Sequence, residues 1–338
     1  MKILKLLPLL ILLGIISCNN SSRKPSAANE EKQKQEVPLP IPAFNRDSAY
    51  TFVKAQVDFG PRVNNTQAHE KCGVYLVNKL KQYCKNVTVQ SGTVKAFNGT
   101  LLNFKNIIAS YNPSTNNRIF LCSHWDSRPW ADHDPDPKKH KTAVDGANDG
   151  ASGVGILLEI ARQFSLVKPA IGVDIILLDA EDYGPPEDAP RDANSEGFWG
   201  LGSQYWAKTP HKPNYFAKYG ILLDMVGASN ATFLQEKFSL QYAPEVVRNV
   251  WNIAGRLGYS SYFLYDEGGY IDDDHLYINK TLAIPTIDII HLVKVDNTPG
   301  NTKFYPYWHT TKDDMNSIDK TTLDVVGKVL MAVVANEK

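Results

Sequence analysis

Three short apolar runs alternate with amphipathic stretches along the chain. The runs cover residues 118–123, 173–178 and 219–223, and they are followed by His124, Asp179 and Asp224, respectively. Continuous apolar runs of this length, bounded by turn residues, are typical of strands that are covered on both faces. The pattern predicts an open α/β sheet with chemically active residues at the carboxyl ends of its strands.

Apolar residues at helical spacing lie between the predicted strands and on either side of them. This spacing predicts helices over residues 47–58, 66–83, 153–164, 243–257 and 321–335. Residues 87–97 and 104–110 alternate like the two strands of a hairpin. We therefore expect a single-domain α/β open sandwich, in which a mixed central β-sheet is flanked by helices on both faces.

The first 18 residues have the pattern of an export signal. Residues 1–5 include two lysines, residues 6–16 are apolar, and Ser17 precedes Cys18. The apolar segment is too short to span a bilayer as a permanent helix. A small residue followed by cysteine resembles the lipobox of bacterial lipoproteins, in which Cys18 becomes the lipidated N-terminus; a plain signal peptide is the alternative. We expect an exported protein, anchored by lipid to a bacterial membrane on its periplasmic face or at the cell surface.

Residues 19–43 are polar and contain almost no large apolar side chains. Such a segment cannot bury enough surface to order itself, so we expect a flexible tether that leads into a catalytic domain over residues 44–338. Of the remaining cysteines, Cys72 and Cys84 are candidates for a disulfide, which their spacing neither requires nor excludes. Cys122 lies in an apolar run and is expected to be buried.

The chain of 338 residues carries 36 basic and 36 acidic side chains. This neutral balance lacks the positive charge that nucleic-acid binding requires, so we expect no nucleic-acid partner.

Acids and histidines lie near the predicted strand ends. The set consists of His124, Asp149, Glu181, Asp182, Asp224 and His309. Carboxylate and imidazole are the ligands that zinc takes where no thiolates are supplied. The set predicts a metal-dependent enzyme that acts on peptides. Five other histidines lack partners at ligand spacing and are expected to face solvent or lie in turns: His69, His133, His140, His211 and His291. His275, beside an acidic run, is the exception and is expected to orient Asp273 or its loop.

The order and spacing of these residues resemble the M28 zinc exopeptidases. The motifs are His124-x-Asp126, the segment 146–153 around Asp149, Asp179-x-Glu181-Asp182, Leu223-Asp224-Met225 and His309-Thr310-x-x-Asp313. In the two-metal aminopeptidases of that family, the resemblance implies that His124 and Asp224 bind one zinc and that Asp182 and His309 bind the other. Asp149 would bridge the two ions, and Glu181 would be the general base.

A second layer of motifs resembles the glutaminyl-peptide cyclotransferases (glutaminyl cyclases) within that family. These motifs are Trp308-His309-Thr310 and the doubled acid of Asp272-Asp273-Asp274-His275. Two positions depart from the animal enzymes: Asp182 stands where they have Glu, and Asp288 stands where they have His.

The cyclase resemblance implies one zinc, bound by Asp149, Asp182 and His309. It also implies that Glu181 transfers the proton and that Asp224 and Asp273 hold the amide and the tetrahedral intermediate. The substrate-binding residues would be Trp199, Trp308 and Asp272, with Trp206 as a further candidate, while His124 and Asp288 would belong to a second metal site or to the hydrogen-bond network. The expected partners are peptides with N-terminal glutamine, and the protein is expected to be a monomer.

Two other interpretations remain open from the sequence. A two-zinc aminopeptidase would use His124 and Asp224 as ligands of a second ion. A lipoprotein that only binds peptides would carry a broken ligand set, whereas every ligand position is intact here.

Overall fold

The computed structural model describes residues 43–190 and 197–337. The strands are β1 (Val87–Lys95), β2 (Leu101–Tyr111), β3 (Arg118–His124), β4 (Gly172–Leu178), β5 (Gly220–Asp224), β6 (Phe233–Gln235), β7 (Phe263–Glu267), β8 (Thr286–Ile290), β9 (Leu292–Lys294) and β10 (Thr302–Phe304). The α-helices are α1 (Arg46–Val57), α2 (Gln67–Tyr83), α3 (Ala151–Leu166), α4 (Leu201–Lys208), α5 (Lys237–Tyr242), α6 (Pro244–Arg256), α7 (Asp274–Leu282) and α8 (Lys320–Asn336).

A mixed six-stranded sheet lies at the centre of the described chain, with the order β1-β2-β4-β3-β5-β8. Strands β4, β3, β5 and β8 are parallel, while β2 pairs antiparallel with both β1 and β4. The four parallel strands therefore end at one edge of the sheet. That edge is where an open α/β sheet places its chemistry.

Helices cover both faces of the sheet. Alternate residues of the strands point to opposite sides, so Leu121 of β3 joins a large core with α1, α2, α3, α6 and α8, while Phe120 and Cys122 join a second core with α4 and α7. Every residue of β3, β4 and β5 is buried. This burial on both faces explains the continuous apolar runs.

The predicted fold class is confirmed. The five predicted helices correspond to α1, α2, α3, α6 and α8, and the predicted hairpin corresponds to β1 and β2. The described residues belong to one compact unit. Among them, no helix is both long enough and apolar enough to cross a bilayer. The predicted signal, the Cys18 anchor and nearly all of the tether lie outside the described residues.

The cysteines that the structure describes are reduced. Cys72, Cys84 and Cys122 are free and buried, so the disulfide left open between the first two does not form. Burial raises the pKa of the Cys72 thiol to about 12. These thiols are therefore unreactive core residues.

Candidate active site

The parallel strands bring three of the predicted motifs to one edge of the sheet. His124 ends β3, the segment from Asp179 to Asp182 follows β4, and Asp224 ends β5. The other two motifs are not at strand ends. Asp149 directly precedes Gly150, the N-cap of α3, and His309 lies in a turn beyond β10. The expectation that all these motifs follow strands was therefore wrong for these two residues.

Three non-glycine residues at this edge adopt a left-handed backbone conformation. They are Ala180 (φ 54°), Met225 (φ 50°) and His309 (φ 54°), and the first two lie next to Glu181 and Asp224. A residue held in this region costs on the order of 1–3 kcal/mol and persists only where its surroundings require it. The left-handed turns therefore lie at or beside residues of the site.

Asp149, Asp182 and His309 form the first candidate metal group, since their ligand atoms all lie within 4.8 Å of one another. His309 Nε2 lies 3.3 Å from Asp182 Oδ1 and 3.8 Å from Asp149 Oδ2. Both Asp182 oxygens are buried, and neither accepts a hydrogen bond of normal geometry from the described chain. A buried carboxylate without donors is costly unless a cation or a proton compensates it, so this group fits a divalent metal.

Two carboxylates that the sequence did not assign support this group from behind. Asp132 Oδ1 lies 3.4 Å from His309 Nδ1, the ring nitrogen that faces away from Asp182. Asp313 accepts the backbone N–H groups of Asn148 and Asp149, at 2.8 and 3.0 Å. Such contacts fix the orientation of metal ligands.

Both supporting acids belong to local patterns in the sequence. Asp132 lies four residues after Arg128, which pairs with its side chain and leaves it 6% exposed. Burial alone would raise the pKa of Asp132, but the nearby His309 and the hydrogen bonds from Arg128 hold it below its ordinary value. Asp313 was part of the His309 motif, although no role was assigned to it.

His124, Asp149 and Asp224 form a second group of potential ligands. His124 Nε2 lies 3.1 Å from Asp149 Oδ1 and 3.3 Å from Asp224 Oδ1. Asp126 Oδ1 lies 3.6 Å from His124 Nδ1, beyond hydrogen-bond distance. Its carboxylate instead accepts the backbone N–H groups of Glu181 and Asp182, both at 3.1 Å, and so holds the acidic pair in place.

Glu181 is buried among other acids. Burial, with the nearby Asp273 and Asp182, raises its pKa well above the ordinary value, although His124 opposes the shift. Burial and Asp224 raise the pKa of Asp273 to about 7, and burial and Asp149 raise the pKa of Asp224 to about 6. Carboxyl groups with such pKa values can give and take protons near neutral pH.

A cavity of about 530 Å³ opens onto these groups. Nine of the predicted site residues line it: Asp149, Glu181, Asp182, Trp199, Asp224, Asp272, Asp273, Trp308 and His309. The Trp308 ring stacks on His309 with centroids 3.7 Å apart, and Trp199 lies parallel to the same imidazole at 6.1 Å. The volume is typical of a site for a small ligand or a chain end.

Two further predicted residues, one tryptophan and one acid, lie outside the cavity. Trp206 does not line the cavity, because it is fully buried against Phe120 in the second core. Asp288 is buried on β8 and does not line the cavity either. It groups with Asp273 and His275. Asp288 therefore belongs to the network around Asp273, and it lies outside the second metal group.

Two of the remaining histidines are more buried than expected. His69 and His291 are each 3% exposed, so the expectation that they face solvent was wrong. His69 Nε2 lies 2.9 Å from Asp179 Oδ1, whose carboxylate also accepts the N–H of Ala180. His275 Nε2 lies 3.0 Å from Glu236, a residue that carried no signal in the sequence.

Comparison with known proteins finds the same fold. The model of peptidase family M28 matches residues 106–334. A Zn-dependent exopeptidase from Parabacteroides distasonis is 51% identical with a TM-score of 0.84, and the alignment covers 88% of this chain and 100% of that one. A glutaminyl cyclase from Bacteroides thetaiotaomicron, solved with N-acetylhistamine, is 50% identical with a TM-score of 0.84, covering 88% and 100% of the two chains.

A curated relative is more distant. The glutaminyl-peptide cyclotransferase of Gloydius blomhoffii is 28% identical over 259 residues, which make up 68% of this chain. The aligned part spans 65% of that relative's length. Since the family model matches more than half of the chain, the protein belongs to peptidase family M28.

Proposed function

We propose that the protein is a zinc-dependent glutaminyl-peptide cyclotransferase, which converts the N-terminal glutamine of peptides to pyroglutamate and releases ammonia. The observation that carries the proposal is the arrangement of Glu181 beside the ligand group of Asp149, Asp182 and His309, in a cavity that also contains Asp273. The similarity to a bacterial glutaminyl cyclase at 50% identity supports it.

The reaction is intramolecular. The α-amine of the substrate attacks the γ-carboxamide carbon, a C–N bond forms to close the lactam, and the original amide C–N bond breaks as ammonia leaves. Both reacting atoms belong to one residue, so much of the acceleration comes from holding that residue in its folded-back conformation. Trp199 and Trp308, which flank His309, would restrict the glutamine side chain in this way and exclude water.

The protein must also move one proton. Glu181 would accept a proton from the attacking amine and deliver it to the departing ammonia, and its raised pKa suits both steps. Asp224 and Asp273 would accept hydrogen bonds from the amide nitrogen. A zinc ion held by Asp149, Asp182 and His309 would supply a Lewis acid for the γ-carbonyl oxygen.

The products formed from two peptides test this proposal. A peptide that begins with glutamine should release ammonia and no free amino acid, and a chelator should abolish the release until zinc is restored. A peptide that begins with leucine should remain intact. Absence of ammonia from the glutamine peptide, with zinc present, would refute the cyclase.

The second ligand group favours one alternative, a two-zinc aminopeptidase. His124, Asp149 and Asp224 could hold another ion, and the similar protein from Parabacteroides distasonis is described as an exopeptidase. In that case Glu181 would act as the base for an attacking water. Release of free leucine, together with two zinc ions per chain by elemental analysis, would support this alternative.

We also propose that the protein is exported and lipid-anchored through Cys18. The support is the basic, apolar and Ser17-Cys18 pattern of the first 18 residues. Metabolic labelling with a radioactive fatty acid should mark the wild-type protein and not the Cys18→Ala variant. An unlabelled wild-type protein, released in soluble form, would contradict the anchor.

A further inference from the structure

Arg128 lies behind the candidate metal group, and every N–H of its guanidinium is bonded. The side chain is 1% exposed. Nε and Nη2 donate to the two oxygens of Asp132, at 3.1 and 2.7 Å. Nη1 donates to the carbonyl oxygens of Asp182 and Gly184, and the second N–H of Nη2 donates to that of Pro185, at 3.0–3.2 Å. A guanidinium has five N–H donors, so none is left over.

These bonds connect Arg128 to two members of the metal group, His309 and Asp182. Asp132, held by two bonds from Arg128, lies 3.4 Å from His309 Nδ1. The three carbonyl acceptors fix the turn that follows Asp182, and the guanidinium itself lies 3.6 Å from Asp182 Oδ1. Arg128 thus connects two residues that are 127 positions apart in the sequence but bind the same ion in our proposal.

The same guanidinium also supports the cavity wall. Its central carbon lies 4.8 Å from the centre of the Trp199 ring, a cation–π distance. Trp199 packs so closely on Gly184 that a Cβ at that glycine would collide with the indole. The indole is therefore sandwiched between the turn that Arg128 holds and the substrate cavity.

We propose that Arg128 is a positioning residue. It orients His309 through Asp132 and orients Asp182 through the turn that follows it. Its planar face holds the Trp199 indole in the cavity wall. This inference rests on the proposed function. Lysine could not replace the arginine, because an ammonium group has three donors and no planar face to stack on the indole.

The test compares Arg128→Lys with Arg118→Lys. Arg118 is an equally suitable buried arginine: it is 4% exposed, pairs with Asp174 at 3.1 Å, and bonds two backbone carbonyl groups. It begins β3, about 20 Å along that strand from His124. Zinc affinity would be measured by chelator competition, and kcat and KM for a glutamine peptide would be measured at saturating zinc.

We expect Arg128→Lys to weaken zinc binding about 10–100-fold, the usual effect of losing a group that orients a metal ligand. KM should stay raised at saturating zinc, because Trp199 loses its support. Arg118→Lys should lower thermal stability and leave both quantities within twofold of wild type. An Arg128→Lys protein that behaves like Arg118→Lys would overturn the inference.

Asp132→Ala keeps the test decisive if Arg128→Lys does not fold. It removes the contact with His309 and keeps the bonds of Arg128 to the turn after Asp182, so zinc affinity should fall by a larger factor than KM at saturating zinc rises. Unchanged zinc affinity in this variant would overturn the inference. A wild-type protein that releases no ammonia would refute the proposed function itself, which distinguishes the two failures.

Discussion

Gly150 lies between the ligand Asp149 and helix α3, and alanine there should crowd the site. The residue has a φ of +90°, and a Cβ would lie 2.7 Å from the carbonyl oxygen of Asp126 and 2.9 Å from Cε1 of His124. Gly60 has a similar φ of +87°, but a Cβ there would meet no heavy atom of the described chain within 4 Å. The two glycines share a positive φ and differ in crowding.

The expected losses follow from these two effects. A side chain at positive φ costs roughly 1–2 kcal/mol or more, and this applies at both sites. Overpacking adds roughly 1–3 kcal/mol, and only at Gly150, because a backbone oxygen and a buried imidazole cannot move away freely. Gly150→Ala should therefore lose about 2–5 kcal/mol of unfolding free energy, and Gly60→Ala about 1–2 kcal/mol.

Urea unfolding of both variants, in chelator and in excess zinc, measures the difference. The zinc-dependent gain in stability should also shrink in Gly150→Ala, because Asp149 and His124 are displaced, while Gly60→Ala should keep it. Equal losses at the two glycines would show that contact with His124 is unimportant and would refute the reasoning.

Three further predictions concern individual side chains. Glu181→Gln should keep its zinc while kcat falls by roughly 10²–10⁴. The control Glu159→Gln changes a buried acid outside the cavity and should keep kcat. Steady-state kinetics with zinc analysis checks both variants, and loss of zinc from Glu181→Gln would contradict the proton-transfer role of Glu181. His309→Ala should lose more zinc than His124→Ala if one ion is bound, and equal losses by elemental analysis would favour two ions. Asp134 accepts the N–H and O–H of Thr311, and its pKa is lowered to about 2: burial opposes this, but these hydrogen bonds outweigh it. Its contribution to stability is then present above about pH 4 and is lost as the pH falls towards 2, so urea midpoints of wild type and Asp134→Asn should differ at pH 6 and converge near pH 2.

Local patterns in the sequence contained most of the fold. Strands β3, β4 and β5 are covered on both faces, so their apolar runs were visible without knowledge of their partners. Shorter elements were missed: β8 has a buried Asp288 in its centre, and α7 begins within the acidic segment. Their polar residues are compensated by tertiary contacts, which a local pattern does not contain.

The sequence by itself determined the chemical types at the site and their order along the chain, because a strand end or a short motif is a local property. Only the tertiary structure decided which of these residues meet. It brought Asp149 and His309 to the sheet edge from a helix start and a turn, it placed Trp206 in the core, and it paired Asp132 with His309. Contacts between distant segments depend on how helices and strands pack in three dimensions. The burial that results then shifts the pKa of an acid such as Glu181. Neither the contacts nor the pKa can be predicted from neighbouring residues alone.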